Sequence, residues 1–409
     1  MSTTTPPVFP TTPATQDVPA DRPSPLTRLG LRGRPLEIAN WVTVALGIYL
    51  LITAVSVIGD GFKLATAGRA EELFAFASNP LIAMMIGLLA TALIQSSSTT
   101  TSITVGLVAG GLPMATAIPM LLGANIGTTL TSTLVSLGMM RDKASFRRAF
   151  SAASVHDFFN LLAVVIFLPL EVMFGILRRT SDVLAETFAG SDGGALTLIF
   201  GGLGNAVTSV TDPLADTVGL LGGLLPHPWG GILLVVVGVA LILGVINLIG
   251  ILLKVVMVGR ARRILHTAIG RGPVSGIASG ALVTVMVQSS STTTSLMVPL
   301  AGSGTFTTRQ IYPFTLGANI GTTITALIAA FAFTGGEGQL ALQAALVHLL
   351  FNTFATILIY GLPFLRNLPI SGAELLAHLG AENKMYVAVW VLGVFLALPA
   401  LLILLTVLL

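Results

Sequence analysis

The sequence predicts an all-α polytopic membrane protein with two inverted-topology repeats, each holding a re-entrant hairpin (QSSS) and an interrupted helix (GANIGTT). Three observations lead there. Of the 409 residues, 54% are hydrophobic and only 9% charged, and the mean hydropathy is +0.93. An average soluble domain is about a quarter charged, so a water-facing surface cannot be built from this chain. Charge is absent from residues 73–140, 217–253 and 272–308. Finally, QSSSTTTS at 95–102 returns at 288–295. This composition sets aside soluble enzymes, nucleic-acid-binding domains and disordered regulators. The net charge of +3 gives no argument for a nucleic acid or other acidic partner, and the absence of cysteine excludes disulfides and thiolate–metal sites.

Taken in order, residues 1–40 open with Pro, Thr and scattered charge and lack an apolar h-region. They read as a disordered cytoplasmic tail before a membrane anchor, not as a cleavable signal peptide. A transmembrane helix needs about 20 mostly apolar residues. Stretches 41–59, 112–140, 149–177, 230–258, 306–333, 340–364 and 386–409 meet that length. Stretches 81–94 and 274–287 do not, and both run into Ser/Thr-rich sequence, which makes them arms of hairpins that return to the side they entered from. The organisation is then a first transmembrane helix at 41–59, a repeat at 81–177, an external linker loop at 178–228, a transmembrane helix at 230–258, a second repeat at 274–364 and a C-terminal transmembrane helix at 386–409. Residues 60–80 are expected outside as an interfacial helix, with Leu73, Phe74 and Phe76 toward lipid. With the N-terminus in the cytoplasm, 16 of the 20 Lys and Arg fall inside, and only Lys63, Arg69, Arg178 and Arg179 fall outside. That is the positive-inside bias of a multi-pass protein of the cell (inner or plasma) membrane.

Three blocks define the duplication. QSSSTTTS recurs 193 residues on, GANIGTT at 123–129 recurs at 317–323, and AASVHDFFN at 152–160 pairs with AALVHLLFN at 344–352. Arg147 and Arg148 precede the third block in the first copy, where Gln339 and Leu340 stand in the second. Under the positive-inside rule the same connector is cytoplasmic in one copy and external in the other, as an inverted repeat requires.

Each QSSSTTTS holds a Gln and seven consecutive hydroxyl residues. A single such stretch would be read as a close helix–helix contact. Two copies at the ends of short apolar segments point instead to a shared polar cavity, because non-helical backbone at membrane depth survives only where protein buries it or a cavity needs it. A helix beginning there presents free N–H groups to an oxyanion, and Ser and Thr hydroxyls donate to anion oxygens or turn lone pairs to a cation. In GANIGTT, the glycines relax the backbone and permit close packing. Asn125, Asn319, Thr128, Thr129, Thr322 and Thr323 offer the oxygen ligands that hard monovalent cations prefer. His156 with Asn160, and His348 with Asn352, share helix faces; both histidines read as structural. Asp157 lies in an apolar span opposite Leu349 of the other copy, so duplication did not put it there, and an intramembrane carboxylate is a functional candidate. No Lys or Arg lies in either block pair. A bound divalent anion then needs co-bound cations for charge balance, which points to coupled symport.

With these blocks in place, the chain resembles the type II sodium/phosphate cotransporter family from about residue 80 to 400. The resemblance is carried by the doubled QSSS, by FRRAFSAASVHDFFN followed by PLE at 169–171, and by YPFTLGANIGTT at 312–323. It implies sodium-coupled symport of inorganic phosphate into the cell by alternating access, with no enzymatic activity and no cofactor beyond Na+ as coupling ion. It also implies that Gln95, Ser96, Ser97, Ser98 and Thr99, with Gln288, Ser289, Ser290, Ser291 and Thr292, surround phosphate. By the same likeness Gln288, Ser289, Thr322 and Thr325 match one sodium site, and Thr133, Asp142 and Asn160 another. Met139 and Ala318 stand where many relatives carry oxygen-bearing side chains. Asp157 matches the acid of electrogenic members. Other readings of the same residues are symport of another oxyanion such as sulfate or arsenate, and proton coupling through Asp157 and His156. From a different class comes an intramembrane serine hydrolase with Ser98 as nucleophile and His156 as base, for which the sequence has no GxSxG turn.

Overall fold

The computed structural model describes residues 24–74, 77–189, 195–268 and 271–408, and among these there is no strand. Most of the expected N-terminal tail, and Phe76 of the expected interfacial helix, lie outside the described residues. The described end of that tail is ordered. Pro25–Leu29 form a 3-10 turn capped by Ser24, whose Oγ also donates to Asn40 Oδ1 at 2.6 Å, and helix α1 (Arg34–Thr66) starts earlier than the apolar pattern indicates.

Among the described residues, seven helical stretches are long and apolar enough to cross a membrane: Arg34–Thr66, Met114–Leu137, Lys143–Phe174, Trp229–Leu253, Thr308–Ala330, Gly335–Tyr360 and Lys384–Thr406. Each overlaps one of the seven expected spans, and the molecule is an all-α membrane protein. After α1 and the short α2 (Ala70–Leu73), the first duplicated segment runs through α3 (Pro80–Ile94), α4 (Ser97–Ala109), α5 (Met114–Gly127), α6 (Leu130–Leu137) and α7 (Lys143–Phe174). Next come α8 (Ile176–Ala189), α9 (Ala195–Gly219) and α10 (Trp229–Ala268). The second segment holds α11 (Pro273–Val287), α12 (Ser290–Ser295), α13 (Met297–Gly302), α14 (Thr308–Ala330) and α15 (Gly335–Ala355), followed by α16 (Pro363–Glu382), α17 (Lys384–Ala388) and α18 (Leu398–Leu408). Helices α3 and α11 have 15 residues each, about 22 Å of helix, short of the ~30 Å hydrocarbon core.

The two segments are packed alike by glycine. A Cβ on Gly87 would lie 1.9 Å from the Met120 carbonyl oxygen, and one on Gly123 1.9 Å from that of Met84. In the second segment the same pairing joins Gly280 to the Phe314 oxygen at 2.0 Å and Gly317 to that of Ile277 at 1.9 Å. Backbone therefore touches backbone between α3 and α5 and between α11 and α14, a spacing no side chain allows. A third such pair joins α1 to α10, where a Cβ on Gly231 would meet Ala65 N at 2.3 Å. The last helices cross over: α16 packs on α7, and α8 packs on α15.

Two expectations change, and two features are added to them. Residues 178–228, expected as a loop because of their Gly, Asp and Pro content, are largely helical. Leu177, Ser181 and Ala185 form one buried face of α8, and Gly204, Thr208, Thr211 and Ala215 one of α9. The periodicity is carried by small residues, which a search for large apolar side chains passes over. Residues 365–385, unassigned by the hydropathy pattern, fall mostly in α16 (Pro363–Glu382). GANIGTT does not interrupt its helix in the second segment, where α14 runs unbroken from Thr308 to Ala330. In the first, Thr128 and Thr129 keep helical angles, and Thr129 N–H turns to the Ile126 carbonyl at 3.3 Å. That is a local tightening between α5 and α6, because the glycines serve close packing and do not unwind the chain. Lastly, the helix after the second QSSS is split at Leu296 where α4 is continuous. Pro299, in place of Gly106, has no N–H and crowds the carbonyl four residues back.

Candidate functional site

The chain leaves α3 and α11 in the same way. Gln95 and Gln288 both adopt the left-handed conformation, with φ of 59° and 53°, conformations a side chain rarely takes. Ser96 and Ser289 follow with extended angles (φ −150° and −156°) and cap the next helices, each accepting from the backbone N–H three residues on at 3.2 Å. Each Gln side chain is held at both ends. Gln95 Nε2 donates to the Ala92 carbonyl, and Gln95 Oε1 accepts from Thr131 Oγ1 at 2.9 Å. Gln288 Nε2 donates to Val285 O and Gln288 Oε1 accepts from Thr325 Oγ1, both at 2.8 Å. The same staple, built twice, presents Ser97, Ser98 and Thr99 at the start of α4 and Ser290 and Ser291 at the start of α12. All five are buried, and Ser96, Ser289 and Thr292 are half-buried. Helix starts leave N–H groups without intrahelical partners, so hydroxyls and amides are concentrated at both breaks.

The segments interlock through these elements. Ser132 of α6 and Thr294 of α12 share a hydrogen bond of 2.8 Å. Behind them runs a buried polar chain. Asn319 Nδ2 donates to Asn160 Oδ1 at 2.8 Å, and Asn160 Nδ2 to the Asn125 carbonyl at 2.7 Å. His156 Nε2 contacts Asn319 Oδ1 at 2.6 Å, and His348 Nε2 contacts Asn125 Oδ1 at 3.4 Å. Because the amide of Asn319 already donates, its oxygen accepts, and His156 carries its proton on Nε2. Each histidine thus reaches the GANIGTT asparagine of the other segment, consistent with a structural role. This arrangement does not build the Ser98–His156 pair of a hydrolase: His156 Nε2 is engaged by Asn319, and its Nδ1 has no partner. Arg148, in the FRRAF stretch, also crosses over, donating through Nε and Nη2 to the Gly302 carbonyl at 2.9 and 2.6 Å.

The residues matched to sodium fall into three places. Gln288, Ser289 and Thr325 are together at the second break, while Thr322, one turn before, bonds the Ala318 carbonyl at 3.2 Å. Thr133 and Asp157 meet at 3.4 Å, and Asn160 belongs to the polar chain. Asp142 is elsewhere: it is exposed at the start of α7 and caps that helix, accepting from Ser145 N–H at 2.6 Å, and the Ser145 hydroxyl together with that N–H holds its carboxyl below the ordinary range. Met139 packs against Gly302, where a Cβ would lie 2.2 Å from its sulfur, and Ala318 lies against Gly280. Both apolar side chains are occupied in packing.

Two functional candidates escaped the sequence reading. Thr131 staples Gln95, and the repeat offset that relates it to Thr325 was the signal for it. Trp390 donates Nε1–H to Asp157 Oδ2 at 2.8 Å, and only the tertiary fold brings these residues together. A crevice of about 220 Å³, lined by Trp41, Ile246, Leu253 and Met286, reaches Gln288 and Thr325. Apart from Gln288 and Thr325 its walls are apolar.

The chain is similar to proteins of known name. It is 32% identical to the sodium-dependent phosphate transport protein 2A of Ovis aries over 419 residues, which cover 86% of this chain and 65% of the sheep protein. It is 31% identical to the sodium-dependent phosphate transport protein 2B of Homo sapiens, with 86% of this chain and 63% of the human one covered. The chain therefore spans less than two thirds of the length of these relatives. No solved structure matches significantly. The family model for the Na+/Pi-cotransporter matches residues 50–190 and 240–364, taking in all three block pairs. By that match the chain belongs to the Na+/Pi-cotransporter family.

Proposed function

We propose that this protein carries inorganic phosphate into the cell by sodium-coupled symport, through alternating access of two inverted repeats, 81–177 and 274–364, about a shared site. The observation that carries the reading is the Gln staple made twice, with a hydroxyl-rich helix start beside each copy. In it, α3–α4 and α11–α12 are the re-entrant hairpins, which dip into the membrane because 15-residue arms are too short to cross it. Residues Gln95, Ser96, Ser97, Ser98 and Thr99 approach phosphate from one side, and Gln288, Ser289, Ser290, Ser291 and Thr292 from the other. Their donors are neutral, so sodium supplies the compensating charge, and anion and cation bind cooperatively.

Gln288, Ser289, Thr322 and Thr325 form one sodium site. Asp157 with Thr133 forms another, near Asn160, and makes transport electrogenic. Asp142 serves α7 as a cap and stands apart from both. The N-terminus is cytoplasmic, in the orientation that places 16 of 20 Lys and Arg inside, and the membrane is the plasma membrane. The test is uptake of labelled phosphate by purified protein in liposomes under sodium, potassium or proton gradients. Uptake driven by sodium alone, with net current, is expected. Uptake driven equally by a proton gradient, or none with sodium, overturns the reading, and competition by sulfate or arsenate resolves the anion.

A further inference from the structure

Asp157 and Trp390 are each without a counterpart in the duplication. Leu349 takes the matching place of Asp157, and Trp390 belongs to the last span, outside both repeated segments. The fold joins them. The carboxylate is fully buried, with Oδ2 accepting from Trp390 Nε1 at 2.8 Å and from Thr133 Oγ1 at 3.4 Å. Its other oxygen, Oδ1, is buried and accepts no hydrogen bond; the Thr129 hydroxyl also lies beside the carboxyl but donates to the Ile126 carbonyl at 3.0 Å, leaving its lone pairs free for an ion. The indole is itself fixed: it stacks on Phe158, the next residue after Asp157, with ring centroids 5.1 Å apart and planes 19° from parallel. It sits in a π-helical stretch, Val389–Ala397, and such widened turns concentrate at functional sites.

A buried carboxylate with one oxygen held by two protein donors and the other accepting none is set up for one further ligand. An N–H can hold the carboxylate but cannot touch a cation, so the indole selects which oxygen faces the ion. We infer that Trp390 is a positioning residue for the Asp157 cation site: it commits Oδ2 to protein donors and presents Oδ1 as the single anionic ligand of a monovalent ion. The inference rests on the reading of Asp157 as a sodium ligand.

The chain has three tryptophans, Trp41, Trp229 and Trp390, so a Trp41→Phe, Trp229→Phe protein reports on Trp390 alone. Its emission is titrated with sodium chloride against choline chloride, without phosphate. A saturable change specific to sodium, lost in Asp157→Asn, is expected. Trp390→Phe keeps the stack on Phe158 and removes the N–H. Losing a hydrogen bond to a charged group is expected to raise the half-saturating sodium concentration for uptake about tenfold, with phosphate affinity unchanged at saturating sodium. Trp390→His, which restores a ring N–H, recovers part of the loss and serves as the second variant if the Phe form does not fold.

Wild-type sodium dependence in folded Trp390→Phe, or lone-tryptophan emission indifferent to sodium, overturns the inference. The two failures are separable. Sodium-dependent emission without phosphate uptake sinks the transport reading and spares this one, whereas sodium-driven uptake with a silent Trp390 does the reverse.

Discussion

Removing the hydroxyl that staples each glutamine is the most direct test of how the two breaks are built. Thr131→Val and Thr325→Val keep side-chain shape and delete the donors to Gln95 Oε1 and Gln288 Oε1, which are bonded at 2.9 and 2.8 Å. A neutral hydrogen bond contributes about 1 kcal/mol net. Each Gln keeps its Nε2 bond to the preceding helix, so the local fold persists while the carboxamide gains freedom beside the site. If phosphate binding requires the stapled geometry, that ~1 kcal/mol appears as a rise of about fivefold in the half-saturating phosphate concentration. The rise is expected in both variants, because both staples are made alike. Only Thr325→Val is expected to shift sodium dependence as well, since the Thr325 hydroxyl still has lone pairs for a cation once it has donated to Gln288. The assay is phosphate uptake in liposomes across a grid of phosphate and sodium concentrations, with monodisperse elution as the control for folding. Folded Thr131→Val with phosphate affinity within twofold of wild type refutes the staple. Unchanged sodium dependence in Thr325→Val removes that residue from the sodium site.

Gly317→Ala forces a Cβ to 1.9 Å from the Ile277 carbonyl oxygen and should destabilise by about 1–3 kcal/mol, read as a lower melting temperature in detergent. Gly244→Ala, which meets nothing within 4 Å, should be neutral or slightly stabilising, and equal behaviour of the two refutes the notch. His156→Leu strips the donor from buried Asn319 Oδ1 and should cost about 1–3 kcal/mol, more than His348→Leu, whose contact is 3.4 Å. The order of the two melting temperatures checks this. Asp142→Ala should weaken the start of α7 and leave the sodium dependence of uptake unchanged, with Asp142→Asn closer to wild type because Asn also caps. The carboxyl of Asp142 is lowered by the bonds from Ser145, so its contribution is fully present above the ordinary Asp value of 3.8. It fades as pH falls through the lowered value, and the gap in melting temperature between wild type and Asp142→Ala should close in acid.

What was legible in the sequence was what depends on composition and order. Sparse charge excluded a soluble fold, runs of apolar residues located all seven long spans, and repeated blocks paired Gln95 with Gln288 and Asn125 with Asn319. These features act locally or by direct repetition, so a linear reading recovers them. Helices α8, α9 and α16 were not legible, because their buried faces are set by small or polar side chains and by the partner helices they rest on. Neither was the fate of GANIGTT: glycine permits both unwinding and close approach, and only the carbonyls of Met84 and Ile277, at 1.9 Å from a would-be Cβ, decide for approach.

The site divides in the same way. Residue types and spacing set hydroxyls and a lone acid within long apolar stretches. Tertiary structure decided their partners: each histidine on the other segment's asparagine, Asp142 on its own helix start, and Asp157 on Trp390, which lies 233 residues away. A hydrogen bond depends on where two helices cross. That crossing is fixed by packing summed over the whole bundle, which no single stretch of sequence carries.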